Sequence, residues 1–308
     1  MEQKNNSDQV LNTVRSIVYH LNDVNWVKMT QKMMALPINN VKLLDDITNI
    51  IFDRVLKRQN YTHIYAQMCA RLINDSKFNN LIATDTEITF QKVLLKKCHD
   101  VFYSNYQEEL NKLKDTMKND NMVPKKCLSV VLNNFLFDFQ KRSICNCRFI
   151  GELFKNGAFP EKYILKCIGD LGKEKNDNNY ELQMHCLCII LQSVGLILSK
   201  TSYSYDLNKK INKLVSSMEN YGMSSTLKCL IKKLKVLNSK GWMDEEPVKF
   251  AGTNYNAYRD LPPHMQMVYR VRSKKIMSDW AYGESHDHRL NVVNNYKIEV
   301  RSNIPPKL

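Results

Sequence analysis

The chain contains residue types able to do chemistry, but their spacing suits little of it. His286-Asp287-His288 with Glu284 has the donors for a divalent metal. Histidines two apart in a proline-interrupted stretch, with no second ligand group nearby, read more plainly as solvated side chains. Cys145-Asn146-Cys147 and Cys186-Leu187-Cys188 have one residue between their thiols, whereas a zinc knuckle uses roughly two to four. Gly169-Asp170-Leu171-Gly172-Lys173 is too short for a phosphate-cradling loop and is followed by Glu174 rather than Ser or Thr. No catalytic set, metal or cofactor is expected, and the chain reads as a binding protein rather than an enzyme.

Charge is the stronger signal. The formal net charge is +14, which makes a polyanion such as RNA a reasonable partner. Between Lys200 and Trp242 nine lysines stand against Asp206 and Glu219, half of the whole excess. Leu227, Leu230, Ile231, Leu234 and Leu237 form a helical apolar stripe, and Lys228, Lys232 and Lys235 line up on the opposite face. Such lysines are ordinarily a solvated face. The functional reading is contact with an RNA backbone or an acidic protein through Lys209, Lys210, Lys228, Lys232, Lys233 and Lys235. Trp242 and Tyr221 are the nearby candidates for base stacking, so single-stranded RNA would be bound with little sequence preference.

The elements that must position these residues are helical. Glycine and proline number only 9 and 8 among 308 residues, so helix breakers are scarce. Apolar residues recur at three-and-four spacing from Ser7 to Gly241, as in Val10, Val14, Ile17, Val18 and Leu21, and in Leu43, Leu44, Ile47, Ile50, Ile51 and Val55. Breaks fall at Leu36-Pro37, Asn39-Asn40, Asn79-Asn80, Asn119 to Pro124, Phe159-Pro160, Asn176 to Asn179 and Gly222. Thr84 and Glu87 have the form of a capping box for a helix reaching Phe102. Helices in series on short links pack antiparallel as stacked hairpins, without an obvious sheet.

The nine cysteines are odd in number and mostly embedded in apolar stretches, which reads as buried free thiols in a reducing, cytoplasmic setting. Residues 1–7 form a polar lead without a signal-peptide pattern. The apolar stretch from Cys186 to Leu198 is too short to span a bilayer and contains Gln192 and Ser193, so no membrane association is expected. Residues 8–242 read as the helical domain and 243–308 as a partly ordered, Pro-interrupted C-terminal tail, with a helix over Gln266 to Trp280 and weak strand alternation from Tyr296 to Arg301.

Several segments, in the right order, resemble the middle domain of translation initiation factor 4G. They are Val14-Arg15-Ser16-Ile17 with Leu21 and Trp26; Ile51-Phe52-Asp53-Arg54-Val55 through Tyr61, Tyr65, Met68, Cys69 and Leu72; and Phe90 to Cys98 with Phe102. Arg142-Ser143 followed by Arg148-Phe149-Ile150-Gly151-Glu152-Leu153-Phe154 comes next, then Cys186 to Gly195. The motif residues Arg15, Phe52, Tyr65, Cys69, Arg148, Phe149, Gly151, Glu152 and Phe154 read as mainly structural. Phe149, Ile150, Leu153 and Phe154 make one apolar face, Gly151 permits close helix approach, and Arg148 with Glu152 is an i,i+4 pair.

The resemblance implies an all-α, right-handed HEAT-type solenoid of roughly five antiparallel helix pairs. It also implies a non-catalytic adaptor that docks the DEAD-box RNA helicase initiation factor 4A. The last helix departs from the family: acidic positions of the pattern fall on Lys233 and Val236, a glutamine on Lys232 and an arginine on Asn238. The tyrosine-based motif that recruits the cap-binding subunit is not found, because no tyrosine is followed five residues later by leucine. The alternative is an RNA- or messenger-protein-binding adaptor that has lost the helicase contact or represses translation.

Overall fold

The computed structural model describes residues 2–79, 81–83, 86–120, 128–173, 180–220 and 223–242. The readings placed on the tail, including His286, Asp287 and His288, lie outside the described residues, as do Tyr221 and Cys127.

The apolar periodicity folds as α-helices in chain order: α1 (Glu2–His20), α2 (Trp26–Met34), α3 (Val41–Lys57), α4 (Thr62–Ile73), α5 (Ser76–Asn79), α6 (Phe90–Phe102), α7 (Tyr106–Asp120), α8 (Leu128–Lys155), α9 (Glu161–Leu171), α10 (Tyr180–Leu198), α11 (Ser204–Asn220) and α12 (Ser225–Ser239). Helix starts follow local chemistry. Asn40 and Ser224 each cap a helix by accepting from the backbone N–H three residues on, Leu43 and Leu227. Pro160 precedes α9 with extended backbone, which a proline at a helix entry favours.

One expectation fails at the start of α6. Leu81–Ala83 (β1) and Thr86–Ile88 (β2) pair as an antiparallel hairpin with Leu81 opposite Ile88. Glu87 is therefore a strand residue, and the cap of α6 is Thr89, whose hydroxyl accepts from Lys92 N–H at 3.2 Å. The alternating, partly β-branched residues of Leu81–Ala83 and Thr86–Ile88 pair as strands in place of a helical first turn. The fold remains all-α and HEAT-type, with this hairpin as an insertion between helices.

Helices join through side chains that complete one another's backbone ends. The last turn of α1 leaves carbonyls without intrahelical partners. Tyr65 Oη donates to Val18 O at 2.9 Å, Asn25 Nδ2 to His20 O at 2.8 Å and Arg54 Nη2 to Tyr19 O at 3.4 Å. Asn146 Nδ2 on α8 reaches Cys98 O in α6 at 2.8 Å. The buried hydroxyl of Thr48 donates to Leu44 O at 2.7 Å, which removes its desolvation cost.

The compact unit runs from Met1 to Trp242, and its central contact is between α8 and α10. In α10, Met184 to Leu191, Val194, Gly195 and Leu198 are all buried, because α8, α9 and α12 pack around it. With a mean hydropathy of 1.6 over its richest window it is long and apolar enough to cross a membrane by composition, but 61% of that window is buried inside the protein. A helix apolar on every side is what a core position demands.

Cys69, Cys98, Cys145, Cys147, Cys167, Cys186 and Cys188 are buried free thiols and Cys229 is exposed. Loss of hydration pushes Cys167 and Cys188 up to about 12. They are held as neutral thiols, which are poor nucleophiles.

His185 makes stability depend on pH. Burial pushes its imidazolium down to about 4 from 6.5, with Glu181 opposing and Arg148 adding to the shift. The folded value is depressed, so this contribution is fully present above pH about 6.5 and is lost as pH falls toward about 4, where only the unfolded chain takes up the proton. We expect urea unfolding to report a loss of roughly 3 kcal/mol across that window from this group, and His185→Gln to remove that share of the decline.

Candidate partner and nucleic-acid interface

Alternating buried and exposed positions on α11 and α12 build a basic outer surface. Leu207, Ile211 and Leu214 of α11 and Leu227, Ile231 and Leu234 of α12 are buried and turn their helices against α10 and each other. Asn238 Nδ2 donates to Asn208 Oδ1 at 2.7 Å across the α11–α12 pair. Ser224 N–H donates to Glu181 Oε1 at 3.3 Å, tying the start of α12 to α10.

On the outward side Lys209, Lys232, Lys233 and Lys235 are exposed, and Lys210 and Lys228 are half-buried. Among the described residues, no carboxylate forms an ion pair with Lys228, Lys232, Lys233 or Lys235. No described carboxylate has to be displaced for an anion to approach this face. Lys210 differs: burial lowers its pKa, with Asp206 opposing and Lys213 adding to the shift.

Trp242 is a correction to the sequence reading. It is only 5% exposed, so it cannot stack on a base. Lys240 and Gly241 close the end of α12, and Gly241 and Trp242 both take φ of +63°. Trp242 N–H then donates to Leu237 O at 2.7 Å, which folds the chain back. The indole lies on α10 at Gly195, where an added Cβ would fall 2.2 Å from Cη2 and Cζ3. A left-handed backbone costs a tryptophan about 1 to 2 kcal/mol, whereas burying its ring contributes about 4 to 6 kcal/mol at most. Burial wins, even though the indole Nε1 finds no hydrogen-bond partner among the described residues.

The family-motif residues fall mainly in the core. Phe52 and Phe149 are buried with ring centroids 6.3 Å apart, joining α3 to α8. Tyr65 and Cys69 are fully buried on α4, and Phe154 packs partly buried against the core. Gly151 meets α10 so closely that a Cβ would lie 2.6 Å from Ser193 Cβ. Glu152 is buried and forms an ion pair with Lys155 Nζ at 3.0 Å, while Arg148 is half-buried and its Nε finds no hydrogen-bond partner among the described residues. Arg15 departs from the structural reading: it is exposed on α1 and donates to Asn12 Oδ1 at 2.9 Å.

The sequence reading also missed a second cationic surface. Tyr19, 59% exposed, carries Arg54 over its ring at 4.5 Å and Arg58 at 6.0 Å; Arg58 also lies 5.4 Å from the Tyr61 ring. Arg54 and Arg58 at i,i+4 are visible in the sequence, but Tyr19 joins them only through the α1–α3 packing. Among the described residues no group of three His, Cys, Asp or Glu is placed to hold a metal. Lys173, from the glycine-containing stretch, is engaged with Asp170 at 2.6 Å.

These features define a helical-repeat domain with cationic faces at both ends of its helix series. More particularly, residues 11–241 match the MIF4G domain family, and the chain belongs to that family. It is 22% identical over 256 residues to eukaryotic translation initiation factor 4G of Cucumis melo, covering 82% of this chain and 13% of that protein. It is 23% identical to initiation factor 4 gamma 1 of Mus musculus, covering 75% of this chain and 14% of that one. For initiation factor 4 gamma 2 of Oryctolagus cuniculus the identity is 22%, over 84% and 29%. The chain thus spans less than a third of the length of these relatives. The crystal structure of the MIF4G domain of Trypanosoma cruzi translation initiation factor EIF4G5 aligns with 76% of this chain and 97% of that one, at 17% identity and a TM-score of 0.43.

The seat of Trp242 is testable by its coupling to Gly195. Gly195→Ala should destabilise by about 1 to 3 kcal/mol through overpacking. In Trp242→Leu the added methyl has lost its obstacle, so the double variant measured in urea should cost clearly less than the sum of the single changes.

Proposed function

We propose that the chain acts in translation initiation as a cytoplasmic, non-catalytic adaptor that docks the DEAD-box RNA helicase initiation factor 4A. The observation that carries this reading is the match to initiation factor 4G relatives through the whole helical array, residues 11–241. The surfaces and helix ends of a stacked array are suited to holding two lobes of a partner in one arrangement. Fixing the lobes lowers the entropic cost of closing them on RNA and ATP, so the adaptor contributes orientation and no bond-making group.

The departure at α12 favours a second reading in which RNA or an acidic messenger-bound protein is gripped directly. It is motivated by exposed Lys232, Lys233 and Lys235 with half-buried Lys228, which form no ion pair among the described residues. The two readings are compatible in one molecule, since a helicase and its RNA share a neighbourhood.

Calorimetry of the chain with initiation factor 4A, alongside the helicase's RNA-stimulated ATPase, tests the first reading. A dissociation constant of about 1 μM or tighter with an altered rate is expected, and the sign of the change distinguishes activation from sequestration. Undetectable binding would overturn it. For the RNA reading, Lys228→Gln/Lys232→Gln/Lys235→Gln should make the plot of log affinity against log salt shallower by about 2 for a single strand, at about 0.7 per phosphate contact. An unchanged slope would remove α12 from the interface.

A further inference from the structure

A groove of about 440 Å³ opens where the C-terminal end of α9 meets the first half of α10 and the length of α11. Its volume falls in the range of small-ligand sites, roughly 300 to 1,000 Å³. The inner wall is apolar: Met184, Leu187 and Leu214 are buried. Tyr180 and Tyr203, both half-buried, add phenol rings. Lys213 stands three and four residues beyond Lys210 and Lys209 on α11, so the three lysines line the groove together, and Asp206 is the carboxylate among the described lining residues.

The ammonium of Lys210 lies 3.2 Å from where a Cβ on Gly172 would sit. Glycine at the end of α9 leaves room for this cation, beside helix-terminal carbonyls that favour positive charge. Lys209 and Lys213 are exposed at the mouth. The groove therefore combines a cationic side with an apolar and aromatic wall. An inorganic anion would use only the first, and an apolar molecule only the second.

We propose that this groove binds a nucleoside 5′-phosphate, its phosphate against the α11 lysines and its base against the tyrosine and apolar wall, as a free nucleotide or as the 5′-terminal unit of an RNA strand. Asp206 and Ser217, also in the lining, supply acceptors for ribose hydroxyls. The inference deepens the RNA reading above and relocates its selective contact from the α12 face to a pocket on α11. Base–aromatic contact tolerates any base, so selectivity falls on the phosphorylated end rather than on sequence.

The test is calorimetric titration with adenosine 5′-monophosphate and with adenosine, and with a short oligoadenylate carrying a 5′-phosphate or a 5′-hydroxyl. Adenosine 5′-monophosphate should bind about tenfold or more tightly than adenosine, and Lys209→Gln/Lys213→Gln should abolish that difference with the thermal midpoint unchanged. Lys228→Gln/Lys232→Gln should leave it intact. Preference for the phosphorylated oligonucleotide supports a strand end as the occupant, and binding of the mononucleotide alone supports a free nucleotide. If neither phosphorylated probe is preferred while the oligonucleotides bind and respond to the α12 variant, the pocket is overturned and the RNA reading stands. If no oligonucleotide binds but the mononucleotide does, the pocket stands and the RNA reading fails.

Discussion

The contact between α8 and α10 at Gly151 is the constraint on which the remaining packing depends. Here α8 can approach α10 because position 151 has no Cβ; one would sit 2.6 Å from Ser193 Cβ. Beside this approach Phe149, Ile150 and Leu153 of α8 are buried, and α10 itself is apolar almost all round. From these two helices the array extends both ways: α8 carries α3, α4 and α6, while α10 carries α9, α11 and α12. Interiors are packed at nearly crystalline density, so a shift of this pair would be transmitted rather than absorbed.

The outer surfaces follow from that core. Because α10 takes the buried stripes of α11 and α12, their lysines are forced outward or into the groove beside α9. The indole of Trp242, seated on Gly195 of α10, closes the last helix over the same core. At the other end, the free carbonyls of α1 draw in Tyr65, Asn25 and Arg54, and Arg54 in turn stacks on exposed Tyr19. Both cationic faces are thus by-products of how helix ends and apolar stripes are satisfied, which places them on rigid elements rather than on loops. Rigid presentation is what the proposed adaptor role needs, since that role rests on the arrangement imposed on a partner.

Much of this was legible from local pattern. The stripe of α3, the breaks at Asn39-Asn40 and Phe159-Pro160 and the close helix approach at Gly151 all follow from short-range spacing. What escaped depends on pairs far apart in the chain. Trp242, three residues beyond a lysine-rich helix, reads as a surface aromatic until Gly195 is known to lie beneath it. Arg15 sits inside a matching motif, yet its position on α1 turns it to solvent while Val14 and Ile17 turn inward. The hairpin before α6 was misread because Thr84 and Glu87 satisfy a capping rule that strand pairing overrides. The groove on α11 draws on three helices, and no single stretch contains its chemistry.

The central claim is that the α8–α10 contact makes one cooperative support of the helices on its two sides. The direct measurement is denaturant unfolding of Gly151→Leu and of the unaltered chain, followed separately by the fluorescence of Trp26 on α2 and of Trp242 beyond α12, each in a background where the other tryptophans are phenylalanine. Coincident transitions in the unaltered chain, and separated transitions in Gly151→Leu as the two sides lose their common core, are what the account predicts. Transitions that are already separate before the substitution, or that stay coincident and unshifted after it, would contradict it.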